Sequence, residues 1–371
     1  MAPHLDVPSP DGSFIHHLQQ VPYLSGGSVL TSDATESPMS RSTEVSSIED
    51  NFRMTRPLVP GVYVPTMAFF DQQTEDIDTR AIAHHALRLA QAGVTGLATQ
   101  GSNGEAVHLS HTERQLITST TRKALNEAGF SHIPIIVGCG AQSTRETVEY
   151  CREAWESGGD YALVLPPSYY AGLFAPSSET ITQYFTAVAD ASPIPLIIYN
   201  YPGAVNGMDL SSDVILKLSR HAMIAGVKLT CGNTGKLNRV AAATRKLTKN
   251  YNPDNPEFLV LAGSADFSVQ SLIAGGHGIL AGLGNIAPKA CVKTIEAYRA
   301  GRLDEATELQ DVVSRGDWTA IQGGVVGVKA GLESFFGYGG YARSPLPRPT
   351  AEQIKLWREG YRELMLLEES L

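Results

Sequence analysis

The sequence predicts an α/β protein built as a (β/α)8 TIM barrel, with a C-terminal helical appendix and a disordered N-terminal tail. Three observations carry this reading. From Gly61 to about residue 301, short apolar runs alternate with longer segments of helical period, the pattern of repeated β/α units. Eight such runs can be counted. Their apolar content is nearly continuous, as in parallel strands buried on both faces, and does not alternate as in half-exposed strands. An open doubly wound sheet is the competing arrangement, but no G-x-G-x-x-G turn follows the first run.

In chain order, the first 55 residues differ from the rest. The stretch "SGGSVLTSDATESPMSRSTEVSSIED" is rich in Ser, Thr, Gly and acids and poor in apolar residues, a composition that cannot bury enough surface to order itself. Asp6, Asp11, Asp33, Glu36, Glu44, Glu49 and Asp50 set it apart from an arginine-rich transit peptide. A cytoplasmic location is expected on that ground, with the mitochondrion as the minority reading. The barrel is expected over residues 56–301. Its strand candidates are Gly61–Phe69, Gly96–Gln100, Ile133–Gly140, Tyr161–Pro167, Ile194–Asn200, Ile224–Thr230, Phe258–Ser264 and Gly278–Asn285. The first helix, Asp76 to Ala92, carries an apolar stripe through Ile77, Ala81, Ile82, Leu87, Leu89 and Ala90, and Gly93 stops it. Ser110 with Glu113 three residues on spells a capping box, so a helix starts soon after the second strand. Residues 302–371 read as about three helices interrupted by the Gly- and Pro-rich "GYGGYARSPLPRP".

Composition narrows the function classes. The 371 residues are 43% hydrophobic and 18% charged, enough for a large core. A net charge of -9 and a pI near 5.6, with no dense Lys/Arg run, disfavour nucleic acid as a partner. No apolar stretch is long enough to span a bilayer. Cys139, Cys151, Cys231 and Cys291 lack metal-site or C-x-x-C spacing, which fits a reducing compartment. Small metabolites are the expected partners, with no nucleic acid and no membrane.

In such barrels the site lies at the C-terminal ends of the strands. That rule selects "GSNGE" (Gly101 to Glu105), "PPSYY" (Pro166 to Tyr170), "YNYPG", Lys228 and "AGS" (Ala262 to Ser264). Lys228 interrupts the apolar run "IAGVKLT", and no acid neighbours it along the strand. An apolar interior disfavours an ammonium ion, which leaves an amine able to attack a carbonyl and form an imine; a lysine snorkelling to solvent or paired across the barrel is the alternative. Tyr199 ends the preceding strand, within reach of that amine as a proton carrier or as a core tyrosine satisfied by backbone. The turn "GSNGE" offers backbone N–H groups with the Ser102 and Asn103 side chains to a carboxylate, or serves simply as a helix entry. Glu105 is read as structural, capping local backbone donors. Tyr170 points into the site, across a subunit boundary, or packs in its loop. His108 and His111 flank a helix start and are read as surface or capping residues; no metal motif is present.

Taken together and in order, "GSNGE", "YNYP", "GVKLT" and "LAGSAD" resemble the dihydrodipicolinate synthase and N-acetylneuraminate lyase superfamily of Schiff-base class I aldolases. The resemblance runs from about Pro60 to Glu359. Within it, "GSNGEAVHLS", "SPIPLIIYNYPG", "VLAGSAD" and "FGYGGYARSPL" are most similar to 4-hydroxy-2-oxoglutarate aldolases and L-threo-3-deoxy-hexulosonate (2-keto-3-deoxy-sugar-acid) aldolases. The resemblance implies Lys228 as the Schiff-base lysine, Tyr199 as the proton-transfer residue, and Tyr170 as a residue reaching a neighbouring subunit's site. It implies Ser102 and Asn103 for the carboxylate of a 2-oxo acid, Thr230 and Gly263 in the substrate pocket, and a homotetramer needing no cofactor or metal. Pyruvate would be product or co-substrate. One departure concerns "PGAVNG" (Pro202 to Gly207), which lacks the arginine that synthases carry there and is one residue longer. That favours an aldolase whose second substrate half is held through hydroxyls over a lysine-biosynthetic synthase. A condensing enzyme or dehydratase using the same imine, and a non-catalytic 2-oxo-acid-binding protein, are the competing functions.

Overall fold

In the computed structural model, eight parallel strands close into a barrel in the order β1 to β8. The structure describes residues 56–174, 178–248 and 252–371; the expected tail, residues 1–55, lies outside them. The strands are β1 Gly61–Pro65, β2 Gly96–Thr99, β3 Ile135–Gly138, β4 Tyr161–Val164, β5 Leu196–Asn200, β6 Ile224–Leu229, β7 Leu259–Ala262 and β8 Gly278–Leu280. Each falls inside its expected run. The surplus residues at the C-terminal ends of those runs form loops at the barrel mouth.

Between the strands lie α1 Thr79–Gln91, α2 His111–Glu127, α3 Thr144–Glu156, the single turn α4 Ala171–Phe174, α5 Ser178–Ala191, α6 Ser212–Leu218, α7 Thr234–Leu247 and α8 Ser268–Ile273. After β8 come α9 Pro288–Arg299, α10 Leu303–Phe336 and α11 Ala351–Ser370. The first helix begins three residues later than the apolar stripe suggested, because the Asp78 carboxylate accepts from the backbone N–H of Arg80 and Ala81 and so starts the helix after itself. Ser110 and Glu113 form the expected capping box.

Both faces of each strand are buried, which is why period-2 patterning is absent. On β5, Ile197 and Tyr199 point into the barrel with Tyr63, Ala98, Ile136, Leu163 and Leu261. Leu196 and Ile198 point outward into the layer shared with the helices. Such burial stabilises by roughly 1.5–3 kcal/mol per large apolar side chain.

The C-terminal helices belong to the same compact unit as the barrel, Met54–Leu371. The α10 helix is kinked at Gly324, whose φ of 53° and ψ of -151° a side chain would strain. The Trp357 ring of α11 lies against Gly323 and Gly327 on either side of this kink. At the far end of α11, the Glu368 carboxylate accepts from Lys289 and Ala290 N–H at 3.1 and 2.8 Å, satisfying the first turn of α9. No helix among the described residues is long and apolar enough to cross a membrane, and all four cysteines are free thiols.

Candidate active site

Lys228 and Tyr199 are register partners on adjacent strands. Because i and i+2 share a face, both side chains enter the barrel near its C-terminal mouth, 3% and 4% exposed. The Lys228 Nζ stands 4.1 Å from the centre of the Tyr199 ring, and Lys228 forms no ion pair among the described residues. Beyond the strand ends the ladder continues for one step: Thr230 N–H donates to Asn200 O and Gly263 N–H to Leu229 O, both at 2.9 Å. These bonds set Thr230 and Gly263 beside the amine.

The turn "GSNGE" completes the opposite wall. Ser102 Oγ lies 3.4 Å from the Tyr199 hydroxyl, and Tyr201 stacks on Tyr199 with ring centres 5.7 Å apart. Burial, then the neighbouring Tyr199, push the Tyr201 phenol up. The cavity so enclosed, about 200 Å³, is lined by Ser102, Asn103, Tyr199, Lys228, Thr230 and Gly263, six of the seven residues singled out from the sequence. At Gly263 a Cβ would meet Thr230 Oγ1 at 2.0 Å, so only glycine leaves this wall open.

The seventh, Tyr170, lies elsewhere. It follows β4, is 61% exposed and packs edge-on against the equally outward Tyr169. Within this chain it does not reach the cavity. His108 and His111 bind carboxylates, Glu105 Oε2 at 3.0 Å and Glu153 Oε1 at 2.7 Å.

Glu105 departs from the sequence reading. Its carboxylate is buried and caps no backbone N–H of its own loop, where its partner is the His108 ring. Oε1 pairs with Lys329 of α10 at 2.7 Å, both side chains being at most 1% exposed, and Oε2 accepts from Arg343 N–H at 2.9 Å. Lys329 also donates to Tyr341 O at 2.9 Å. Burial pushes the Lys329 ammonium down and Glu105 opposes it. Glu105 itself has a φ of 51°, a left-handed conformation uncommon for a side chain and held here by these long-range bonds.

Asp317 was not legible in the sequence either. It projects from α10 into the cavity wall, and its Oδ2 accepts from Ser264 Oγ at 2.6 Å, Ala265 N–H at 2.7 Å and Asp266 N–H at 2.9 Å. It thereby clamps the loop after β7. Burial pushes the Asp317 carboxyl up from the usual 3.8 to about 6, against the lowering effect of the Ser264 hydroxyl. A carboxyl raised on folding binds its proton more tightly in the folded state, so its contribution to stability is fully present below about pH 4 and is lost as pH rises to about 6. Asp317→Asn removes that titration while keeping an acceptor oxygen. Urea unfolding of both proteins at these two pH values is expected to show the variant gaining about 2–3 kcal/mol relative to wild type as pH rises.

The fold and this site define a class: a (β/α)8 barrel with a small-molecule cavity at its C-terminal mouth, built around a buried amine and a phenol. Residues 59–357 match the Dihydrodipicolinate synthetase family, and the chain belongs to it. It is 54% identical over 316 residues, 85% of this chain and 98% of the relative, to an Emericella nidulans protein named "Probable 4-hydroxy-2-oxoglutarate aldolase, mitochondrial". It is 48% identical over 328 residues, again 85% and 98%, to an Aspergillus niger protein named L-threo-3-deoxy-hexylosonate aldolase. Among solved structures, a dihydrodipicolinate synthase family protein from Coccidioides immitis superposes with a TM-score of 0.74 at 31% identity, covering 85% of this chain and 99% of that one.

Proposed function

We propose that this chain is a carbon–carbon lyase, a class I aldolase that cleaves a 4-hydroxy-2-oxo acid to pyruvate and an aldehyde. The names of the Emericella and Aspergillus relatives support the activity. The observation that carries the chemistry is the Lys228 amine, without an acidic partner among the described residues, beside Tyr199 in one cavity. The amine attacks the C2 carbonyl, and loss of water leaves a protonated imine. Tyr199 takes the C4 hydroxyl proton as the C3–C4 bond breaks, and the electron pair passes into the imine to give an enamine. The aldehyde departs. Protonation at C3 and hydrolysis of the imine then release pyruvate and restore the amine. Ser102, Asn103 and the N–H groups of their turn hold the C1 carboxylate and so place C2 over the lysine. The sequence balances without an external cofactor.

Borohydride trapping tests this reading. Incubation with pyruvate followed by reduction is expected to leave a stable adduct on Lys228, read by mass spectrometry; a folded protein without adduct refutes the imine. Tyr199→Phe is expected to lower kcat for cleavage by about 10²–10⁴-fold, while pyruvate still traps on Lys228. An unchanged kcat would remove Tyr199 from proton transfer.

A homo-oligomer, by analogy a tetramer, is part of the same reading. Exposed Val107, Tyr169, Tyr170 and Leu173 supply apolar surface for a neighbouring copy near the loop after β4. Light scattering on the full chain checks the mass. For compartment, the acid-rich first 55 residues favour the cytoplasm and the name of the Emericella relative favours the mitochondrion; fractionation of cells expressing a C-terminally tagged chain decides between them.

A further inference from the structure

The cavity around Lys228 is asymmetric in charge, and this bears on the half of the substrate that leaves as the aldehyde. A substrate joined to Lys228 at C2, with its carboxylate on Ser102 and Asn103, extends its remaining carbons along the rest of the same wall. That wall is made by Tyr201, Ser264, Asp317, Ile321 and Val325. Lys228 is the one cationic side chain among the residues that line the cavity, and imine formation occupies it. Facing the distal carbons there is instead a carboxylate.

Asp317 is the acceptor in question. The three hydrogen bonds it receives all fall on Oδ2. None among the described residues falls on Oδ1, and a carboxylate oxygen so placed can accept from a donor on the substrate. The Thr230 hydroxyl, on the same lining, is buried with no hydrogen-bond partner among the described residues. An O–H on the substrate satisfies both groups. A second carboxylate on the substrate meets the Asp317 charge with no cation to offset it.

The loop after β5 supplies no compensation. Pro202–Ala204 form a 3-10 turn, Val205 is buried, and the Asn206 amide donates to Ser168 O at 2.8 Å. A guanidinium does face the neighbouring cavity, which shares Ser102, Tyr199 and Val325 with this one but is not lined by Lys228. It belongs to Arg114, whose two terminal nitrogens bind the carbonyls of Ala106 and Gly138 and whose plane stacks on Tyr150, while its Nε has no hydrogen-bond partner among the described residues.

Building on the aldolase reading, we propose that the departing half is a neutral, hydroxyl-bearing aldehyde selected by Asp317, so that the chain cleaves 2-keto-3-deoxy sugar acids in preference to the dicarboxylate 4-hydroxy-2-oxoglutarate. Asp317 is then a specificity-determining residue on the C-terminal helix, outside the barrel strands that carry the chemistry.

The test measures kcat/KM by pyruvate release for a 2-keto-3-deoxyhexonate and for 4-hydroxy-2-oxoglutarate, with the full-length chain well above pH 6. Wild type is expected to favour the sugar acid by at least about tenfold. Asp317→Asn, which presents an amide N–H₂ in place of a carboxylate oxygen, is expected to shift that ratio toward the dicarboxylate by about tenfold or more, mainly through KM. Equal or better cleavage of 4-hydroxy-2-oxoglutarate by wild type overturns the proposal and places the distal half on the Arg114 side. A correct wild-type ratio that Asp317→Asn leaves unmoved overturns the assignment to Asp317. Borohydride trapping of wild type with pyruvate separates the two levels. An adduct with the wrong ratio refutes only the selectivity, whereas no adduct and no pyruvate from either substrate refutes the aldolase reading.

Discussion

Lys228→Ala is expected to lose pyruvate release by about three orders of magnitude or more and to keep its fold. The loss follows from removing the only group that forms the covalent intermediate; the residual rate reflects binding and the remaining proton chemistry alone. Retention of the fold follows from where the side chain sits. Among the described residues Lys228 has no carboxylate partner, so its removal strands no opposite charge in the barrel. What is lost is packing of the aliphatic stem, worth about 1–2 kcal/mol, a shift of a few degrees in Tm for a domain of this size. Steady-state kinetics and a thermal melt on the same preparation check both halves. A variant that keeps a tenth of wild-type activity contradicts the lysine's role.

The other buried lysine is expected to behave in the opposite way. Lys329→Met keeps much of the volume and leaves the Glu105 carboxylate buried with only the Arg343 N–H and His108 to answer it. Breaking one side of such a pair costs about 3–5 kcal/mol, which urea unfolding at constant slope reads directly. The double variant Glu105→Gln with Lys329→Met is expected to recover a large part of that loss, since no charge is then left alone. The pair also ties the Ser102–Asn103 turn to α10 across 224 positions of sequence. The single variant is therefore expected to raise KM for the 2-oxo acid along with its loss of stability. A single variant as stable as wild type shows that the pair is dispensable.

The contrast between these two lysines marks how far the sequence could be read. "IAGVKLT" and "GVVGVKAGL" each place a lysine inside an apolar run. Only Lys228 was legible as functional, because it sits at a strand end beside a tyrosine-ended strand. Lys329 shares the apolar flanks but lies within a helical segment, and its partner is too distant in sequence for local pattern to reveal. Glu105 reads as structural and is so, but the partners differ for the same reason: four residues into a turn it has the local marks of a cap, yet apart from the His108 ring its hydrogen bonds go to the C-terminal region. Asp317 had no signal at all. An aspartate in a helix reads as solvent-facing until the helix is laid over the barrel mouth. Tyr170 was legible as a residue in a loop near the site, and the structure places it on the exterior, packed against Tyr169.

The sequence by itself determined the order of eight strands, their burial on both faces and the end of the barrel at which chemistry belongs, because apolar periodicity and turn residues are local properties of the chain. It also set Lys228 and Tyr199 on neighbouring strands, since strand order in such a barrel fixes which strands are adjacent; their pairing in register is a property of the folded sheet. Only the tertiary structure decided that Lys329 and Glu105 neutralise each other, that Gly324 bends α10 across the mouth, and that Asp317 lines the cavity. Those outcomes depend on the packing angle of helices far along the chain, where long-range electrostatics and volume, and no local pattern, select the partner.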